Sequence, residues 1–356
     1  MKNTELTIAE RRIGAGHPVF FIAEISANHG QNIEKAIELI KIAKNTGVDA
    51  VKFQTYTPDT MTLDSDKDWF KIKHPKWGGQ TLYELYRKAY TPWKWFKQLK
   101  KEAEKVGLIF LSTVFDETSV DFLEKLGVAA HKIASFELVD LPLIEYAAKT
   151  KKPLILSTGM ASKEEINDAV VVAKQAGAKD IVLLKCVSGY PANPGEMNLR
   201  TIPDMKKEFG VSIGLSDHTL DSIVSISAVS VGACMIEKHF TDSRKRETPD
   251  SFFSTEPDEF RKLVDDIRFG NIRSSEEILG EVHYGLTPQQ EKNRIFRRSL
   301  FVVEDIKKGE FFTTNNIRTL RPDNGLKPKY LKDVIGKKAE KDIEKGSPLK
   351  MEMVGG

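Results

Sequence analysis

Between Val19 and Phe240 the chain repeats one pattern eight times: a short apolar run of strand length that ends in polar residues, then a stretch of helical periodicity. The runs are VFFIAEIS (19–26), AVKFQTY (50–56), IFLSTV (109–114), HKIAS (131–135), LILSTG (154–159), IVLLKCVS (181–188), VSIGLSD (211–217) and CMIEKHF (234–240). Near-continuous apolar runs of this length read as strands buried on both faces, the situation of a parallel sheet covered by helices. NIEKAIELIKIAKNTG is an amphipathic helix closed by Gly47, and similar patterns fall at 93–106, 117–126, 141–150, 163–177, 202–209, 221–232 and 258–267. Eight such units over about 250 residues predict a (β/α)8 barrel of the TIM type. A doubly wound open sheet is the competing architecture. It is disfavoured because polar residues end almost every strand, as a circular rim requires, and because no GxGxxG follows the first strand.

A chain of 356 residues with 40% hydrophobic side chains suffices for one large core and a small second domain. The predicted division is a barrel over 1–270, a polar linker over 271–292 containing Gly280, Gly285 and Pro288, and a β-rich module over 293–356. The module begins RRSLFVVEDIKKGEFFTTNNIRTLRP, and its later DIEKGSPL echoes DIKKGEFF. Alone it is marginal in size, so it is expected to dock on something. Residues 5–14 read as a short hairpin or capping strand ahead of the periodic region. The connection 57–91 is unusually long, rich in Asp, Lys, Trp and Tyr, with LYELYRKAY as a helical piece. Its aromatic content favours a functional lid over disorder.

Net charge is +3, from 54 basic and 51 acidic residues, which gives no reason to expect nucleic acid or an anionic membrane as partner. No apolar run is long enough to span a bilayer, and the first residues lack a signal core. Cys186 and Cys234 form no CxxC pair and read as reduced, buried thiols of a cytoplasmic enzyme.

His218 and His239 stand at the ends of two neighbouring runs, IGLSDHT and MIEKHFTD. On the rim of a parallel barrel, two such imidazoles suit a divalent metal with open coordination positions, although two structural histidines satisfy the same spacing. The neighbours favour the metal. Lys52 and Gln54 share one face of the second strand, and Lys132 repeats the pattern on the fourth, followed by Ser135 and Glu137. A lysine inside a barrel strand is costly unless paired or bound to an anion. Around the lysines come Ser112, Thr113, Ser157, Thr158, Ser188 and Ser216, a donor set suited to a phosphate and a carboxylate. A metal beside a bound anion suggests Lewis-acid activation of an aldehyde while the anionic substrate supplies the carbon nucleophile. Schiff-base chemistry on Lys52 or Lys132 is the rival mechanism.

FIAEISANHG, DAVKFQTY, FLSTVFD, HKIASFE, LILSTGM, LKCVSGYP, IGLSDHT and IEKHFTD resemble the successive motifs of the sialic acid synthase family. The stretch from RRSLFVVEDIKKGE to NIRTLRP resembles its C-terminal antifreeze-like (SAF) domain. The resemblance implies condensation of phosphoenolpyruvate with an N-acetylated amino sugar aldehyde, releasing phosphate and using a divalent cation such as manganese or magnesium, with cobalt as a further candidate. It makes His218 and His239 metal ligands and Glu24 an acid/base residue, with Lys52 and Lys132 also catalytic. It puts Lys52, Thr113, Lys132, Ser135, Ser157, Ser188 and Ser216 around phosphoenolpyruvate, and Gln54, Glu137, Tyr190 and Asp250 toward the sugar. Arg321, in LRPDNG, resembles an arginine that one subunit inserts into its partner's site, implying a domain-exchanged homodimer. Two departures fall near the substrates: Ser188 stands where the family commonly has Asn, and RKRETPDSFFS lacks the usual Gly before Pro-Asp. Asn28 and His29 read as a turn and helix cap, and Tyr83, Tyr86 and Tyr90, at helical spacing, as packing residues.

Overall fold

The computed structural model describes residues 5–74 and 76–355. A hairpin of β1 (Leu6–Ile8) and β2 (Arg11–Ile13) precedes eight parallel strands. These are β3 (Phe20–Glu24), β4 (Ala50–Thr55), β5 (Ile109–Val114), β6 (His131–Ile133), β7 (Leu154–Ser157), β8 (Ile181–Cys186), β9 (Ser212–Asp217) and β10 (Met235–His239). They close into a barrel in sequence order, with β10 returning to pair with β3. The expected (β/α)8 architecture is what forms. Several strands stop short of their apolar runs, because the chain turns into 3-10 helix at Ser26–His29 and Ser135–Glu137.

Alternation along each strand sorts the side chains. Phe21, Val51, Phe53, Leu154, Leu156, Leu183, Ile213, Leu215 and Ile236 join the core between barrel and helices. The opposite faces of the strands turn inward, where Phe20, Ile22, Ala50, Leu111, Ile155, Val182, Leu184 and Met235 fill the lower barrel. Leu6, Ile8 and Ile13 belong to the same cluster, so the N-terminal hairpin plugs that end. Following an inward face from Phe20 and Ile22 to Glu24, or from Ala50 to Lys52 and Gln54, leads from apolar floor to polar rim.

Helix ends carry their own signals. Asn32 accepts from the Lys35 N–H, Asp116 and Ser119 form a capping box, as do Ser162 and Glu165, and Gly127 ends its helix in the left-handed conformation.

The described residues of the connection 57–91 are ordered. It contains the helices Pro58–Met61 and Leu82–Ala89, and packs Met61, Leu63, Phe70, Ile72, Trp77, Leu82, Leu85 and Tyr86 against Phe136, Phe253, Phe296, Phe301 and Leu320. Barrel, long connection and C-terminal module thus share one apolar cluster.

The polar stretch expected as a linker is likewise pinned to the barrel. Ile278 and Leu279 enter the barrel core, the Arg200 N–H donates to Leu279 O at 2.9 Å, the Gly285 N–H to Ala161 O at 2.8 Å, and Asn293 Nδ2 to Ser188 O at 2.7 Å. Beyond it β11 (Ser299–Val302) pairs antiparallel with β12 (Ile317–Leu320) over a core of Leu300, Val302, Ile306, Phe312, Ile317, Val334, Ile343 and Leu349. The repeated DIxKG segments pair with each other: Ile306 and Ile343 exchange N–H···O bonds of 2.9 and 2.8 Å. Gly309 and Gly346, at φ +84° and +80°, make the two turns. Among the described residues no helix is long and apolar enough to cross a membrane, and both cysteines are free and buried.

Candidate active site

Strand register sets the rim. Glu24 lies opposite His239 on one side and Lys52 on the other, Thr113 opposite Lys132, and Ser216 opposite both Cys186 and Glu237. All of these positions except Cys186 line a cleft that is partly open to solvent.

The floor of the cleft is an alternation of buried charges. Lys52 Nζ lies 2.6 Å from Glu24 Oε2 and 3.6 Å from Glu237 Oε1, and donates to Thr113 Oγ1 at 2.8 Å. Lys132 Nζ donates to Ser157 Oγ at 2.6 Å and to Ile133 O at 3.0 Å, with Glu237 Oε1 at 3.9 Å. Burial pulls the Lys132 ammonium down, with Glu237 opposing. Burial acts the same way on Lys52, but Glu237 and Glu24 outweigh it and its pKa rises. The two carboxyls are driven apart. Burial raises Glu24 to about 7 against the pull of Lys52. Glu237 is also penalised by burial, yet Lys132, Lys52 and His218 bring it below the ordinary range. Environments that split two carboxyls in this way assign one to hold a proton near neutrality and the other to remain charged.

Above this floor sit the two histidines, with ring centroids 5.4 Å apart. His218 Nδ1 lies 3.0 Å from Val187 O; a carbonyl only accepts, so Nδ1 carries a hydrogen and Nε2 is the ring nitrogen left for a ligand. His239 is held well below the usual imidazole range, by burial first and then by His218, Lys52 and Lys132, and its buried Nδ1 has no hydrogen-bond partner. Asp250 Oδ2 is 3.9 Å from it and accepts from Ser26 Oγ at 2.5 Å. Among the described residues no group of three or more His, Cys, Asp or Glu side chains is spaced to hold a metal. The pair itself fits one: two imidazoles, one oriented by a backbone carbonyl, with the remaining positions left to water and substrate oxygens. Behind them Lys238 Nζ donates to Asp217 Oδ2 at 2.7 Å and to Thr219 O at 2.8 Å, locking the ends of β9 and β10 together.

Of the residues expected from sequence, Glu24, Lys52, Gln54, Thr113, Lys132, Ser135, Ser157, Tyr190, Ser216, His218, His239, Asp250 and Arg321 all line the cleft. Two do not. Ser188 is fully buried beyond the end of β8, its Oγ packed so closely behind Gly159 that a Cβ there would collide with it. Glu137 lies beneath Arg321 rather than on the surface of the cleft. Asn28 is structural but not the expected helix cap, a role Asn32 takes; its Nδ2 donates to Phe240 O at 2.9 Å and Ser254 Oγ at 2.8 Å, and His29 is buried against Thr91 and Trp95.

Two features depart from the sequence reading. Tyr86 is not only packing: it lines the cleft and its hydroxyl accepts from Arg321 Nη1 at 3.0 Å. Glu237 was missed, although it sits two residues before His239 on a strand and therefore on the same face. Within this chain, hydrogen bonds from residues 276–293 to the barrel bring the C-terminal module over the cleft. There Arg321 Nη2 donates to Glu137 Oε1 at 2.6 Å, and the guanidinium lies 4.9 Å from the Phe136 ring centroid.

The NeuB family profile matches residues 39–283 and the SAF domain profile residues 297–355. The chain belongs to the NeuB family. Within that family it is 44% identical over 332 residues to the pseudaminic acid synthase of Campylobacter jejuni, covering 93% of this chain and 95% of that one. It is 45% identical over 333 residues to the pseudaminic acid synthase of Helicobacter pylori, covering 93% and 96%. Its fold superposes on the crystal structure of the spore coat polysaccharide biosynthesis protein SpsE of Bacillus subtilis with a TM-score of 0.85, at 33% identity and 99% coverage of both chains. That superposition takes in the C-terminal module as well as the NeuB barrel.

Proposed function

We propose that this NeuB-family chain is a pseudaminic acid synthase, joining phosphoenolpyruvate to a diacetamido-trideoxy-L-altrose with release of phosphate. The observation that carries the reading is 44–45% identity, over 93% of the chain, to synthases of that product. The rim is consistent with it. Lys52 and Lys132, with Thr113, Ser135, Ser157 and Ser216, supply charge and donors for the phosphate and carboxylate of phosphoenolpyruvate. His218 and His239 are the side chains that would hold a divalent cation, manganese or magnesium, which when bound polarises an aldehyde carbonyl. Glu24, protonated near neutrality, is placed to give a proton to the aldehyde oxygen as the carbon–carbon bond forms. As a carboxylate it then accepts a proton from the water that adds to C2, and collapse of that adduct releases phosphate. Lys52, at 2.6 Å, stabilises the carboxylate between the two transfers. Gln54, Tyr190, Asp250 and Arg321 face the sugar. Two free, buried thiols suit a cytoplasmic setting.

Phosphate release from phosphoenolpyruvate is measured with N-acetylmannosamine, its 6-phosphate, and diacetamido-trideoxy hexoses of altro and manno type. The altro sugar is expected to be preferred. Activity confined to N-acetylmannosamine or to the manno sugar would replace the reading with N-acetylneuraminate or legionaminate synthesis.

A further inference from the structure

One carboxylate oxygen holds two arginines. Glu137 Oε1 accepts from Arg321 Nη2 at 2.6 Å and Nε at 3.1 Å, and from Arg298 Nε at 2.9 Å. All three residues are enclosed: Glu137 is 0%, Arg298 1% and Arg321 5% exposed. Two guanidinium groups share that one carboxylate oxygen, and the buried carboxyl of Asp140 is the further acid that Arg298 acts on. Buried ion clusters of this kind are rarely more stabilising than apolar packing of the same volume, so stability alone does not account for this one.

The arginines come from adjacent backbone. Ser299 pairs with Leu320, so Arg298, just before β11, and Arg321, just after β12, stand side by side at one end of the two-stranded ladder. Their partners differ. Arg321 points into the cleft, with Tyr86 and Phe136 fixing its remaining edge and face. Arg298 has no surface there. It ties three parts of the molecule together: Glu137 of the barrel, Thr319 O of its own module at 3.0 Å, and Met61 Sδ of the long connection at 3.3 Å. Glu137 Oε2 has no hydrogen-bond partner, so the orientation of this carboxylate rests on the Oε1 contacts. If Arg298 is removed, Arg321 becomes the only cation on Glu137, and both carboxylate oxygens are free to engage it side-on and draw it back from the cleft.

We infer that Arg298 is a positioning residue for recognition of the amino sugar: it fixes Glu137, and through it the guanidinium that Arg321 presents to the cleft. Docking of the C-terminal module and presentation of that guanidinium are then one event. The name of the ligand rests on the function proposed above, whereas the coupling of the two arginines does not.

Arg298→Met retains bulk and removes charge, and Arg298→Lys restores the charge without the planar fork. The expected result for Arg298→Met is a rise in KM for the amino sugar of about 10–100-fold, the usual effect of losing a residue that orients a binding group. The KM for phosphoenolpyruvate stays within about twofold, and lysine recovers part of the loss. In a Glu137→Gln background the same substitution costs less than about threefold, since the residue it acts through is already altered. A fall in kcat with both KM values unchanged, or additive losses in the double variant, would overturn the inference in favour of a purely structural role. A readout without turnover separates this from the functional reading. In ligand-free protein labelled with 15N-arginine, the Arg321 Nε–H resonance is expected to shift in Arg298→Met, and an unchanged resonance overturns the coupling. Failure of the wild type to turn over any amino sugar sinks the proposed function and leaves the resonance to decide the coupling.

Discussion

Glu24 and Lys52 occupy paired register positions on adjacent strands, and their carboxyl and ammonium meet at 2.6 Å with 1% and 3% of the side chains exposed. Despite that contact, burial lifts Glu24 to about 7. Since the proposed reaction begins with Glu24 protonated, kcat/KM is expected to fall as pH rises through about 7. Glu24→Gln should abolish that limb and lower kcat about 10²–10⁴-fold, the usual range for an acid/base group. A pH–rate profile of both proteins checks it. The stability linkage has the corresponding sign: the folded state binds the Glu24 proton more tightly than the unfolded state, so this group's contribution declines as pH rises from the ordinary glutamate range through about 7.

Chelation is expected to abolish phosphate release, with recovery on adding manganese. His218→Ala and His239→Ala should each lose about 10²–10³-fold or more, as when one group stabilising transition-state charge is removed, and added metal should not restore them. Wild-type activity that survives exhaustive chelation, together with borohydride trapping of a keto acid on Lys52 or Lys132, would point to the Schiff-base mechanism instead.

Mixing two inactive variants tests where Arg321 acts. An arginine that acts in its own barrel leaves Arg321→Ala and His218→Ala chains inactive together. Domain exchange would instead regenerate about one quarter of the sites in a randomly mixed dimer. Assay after unfolding and refolding the mixture, with each variant refolded alone as control, decides between them.

Trp77, Leu85 and Pro249 line both the cleft and an adjoining surface groove that also includes Lys76, Arg87 and Arg244, and so stand at the mouth of the cleft. Leu85→Gln is expected to reduce kcat/KM for an acceptor bearing acetamido and deoxy groups by about 10–200-fold, the scale of apolar discrimination. The KM for phosphoenolpyruvate, whose partners lie on the barrel floor, should remain as in wild type.

Ile8 is fully buried in the plug of the lower barrel. Ile8→Ala should cost about 2–5 kcal/mol of stability while leaving the activity of folded molecules intact. Chemical denaturation alongside active-site titration measures both.

Strand and helix alternation made the barrel legible, because fully buried parallel strands must be apolar along their length and only their ends are free to be polar. The same logic exposed Lys52, Lys132, His218 and His239, residues that have no inexpensive place in an apolar strand. Glu237 was equally readable, two positions before His239, but a glutamate beside a lysine in MIEKH reads as an ordinary charged pair until the register puts it between Lys52 and Lys132. Tyr86 was hidden by the helical spacing of its neighbours.

What the sequence determined by itself was therefore the barrel, the order of polar strand ends around its rim and the small module after it, since these depend on local periodicity and on the cost of burying charge. What only the tertiary structure decided was which distant segments share the cleft. Burial places Ser188 behind Gly159 and Glu137 beneath Arg321, and hydrogen bonds from residues 276–293 to the barrel bring Arg321 to the cleft, beside an Arg298 whose role no spacing along the chain announces. Contacts across 161 and 184 residues of chain depend on how the module docks, and docking is set by packing between surfaces, which leaves no periodic trace in either segment.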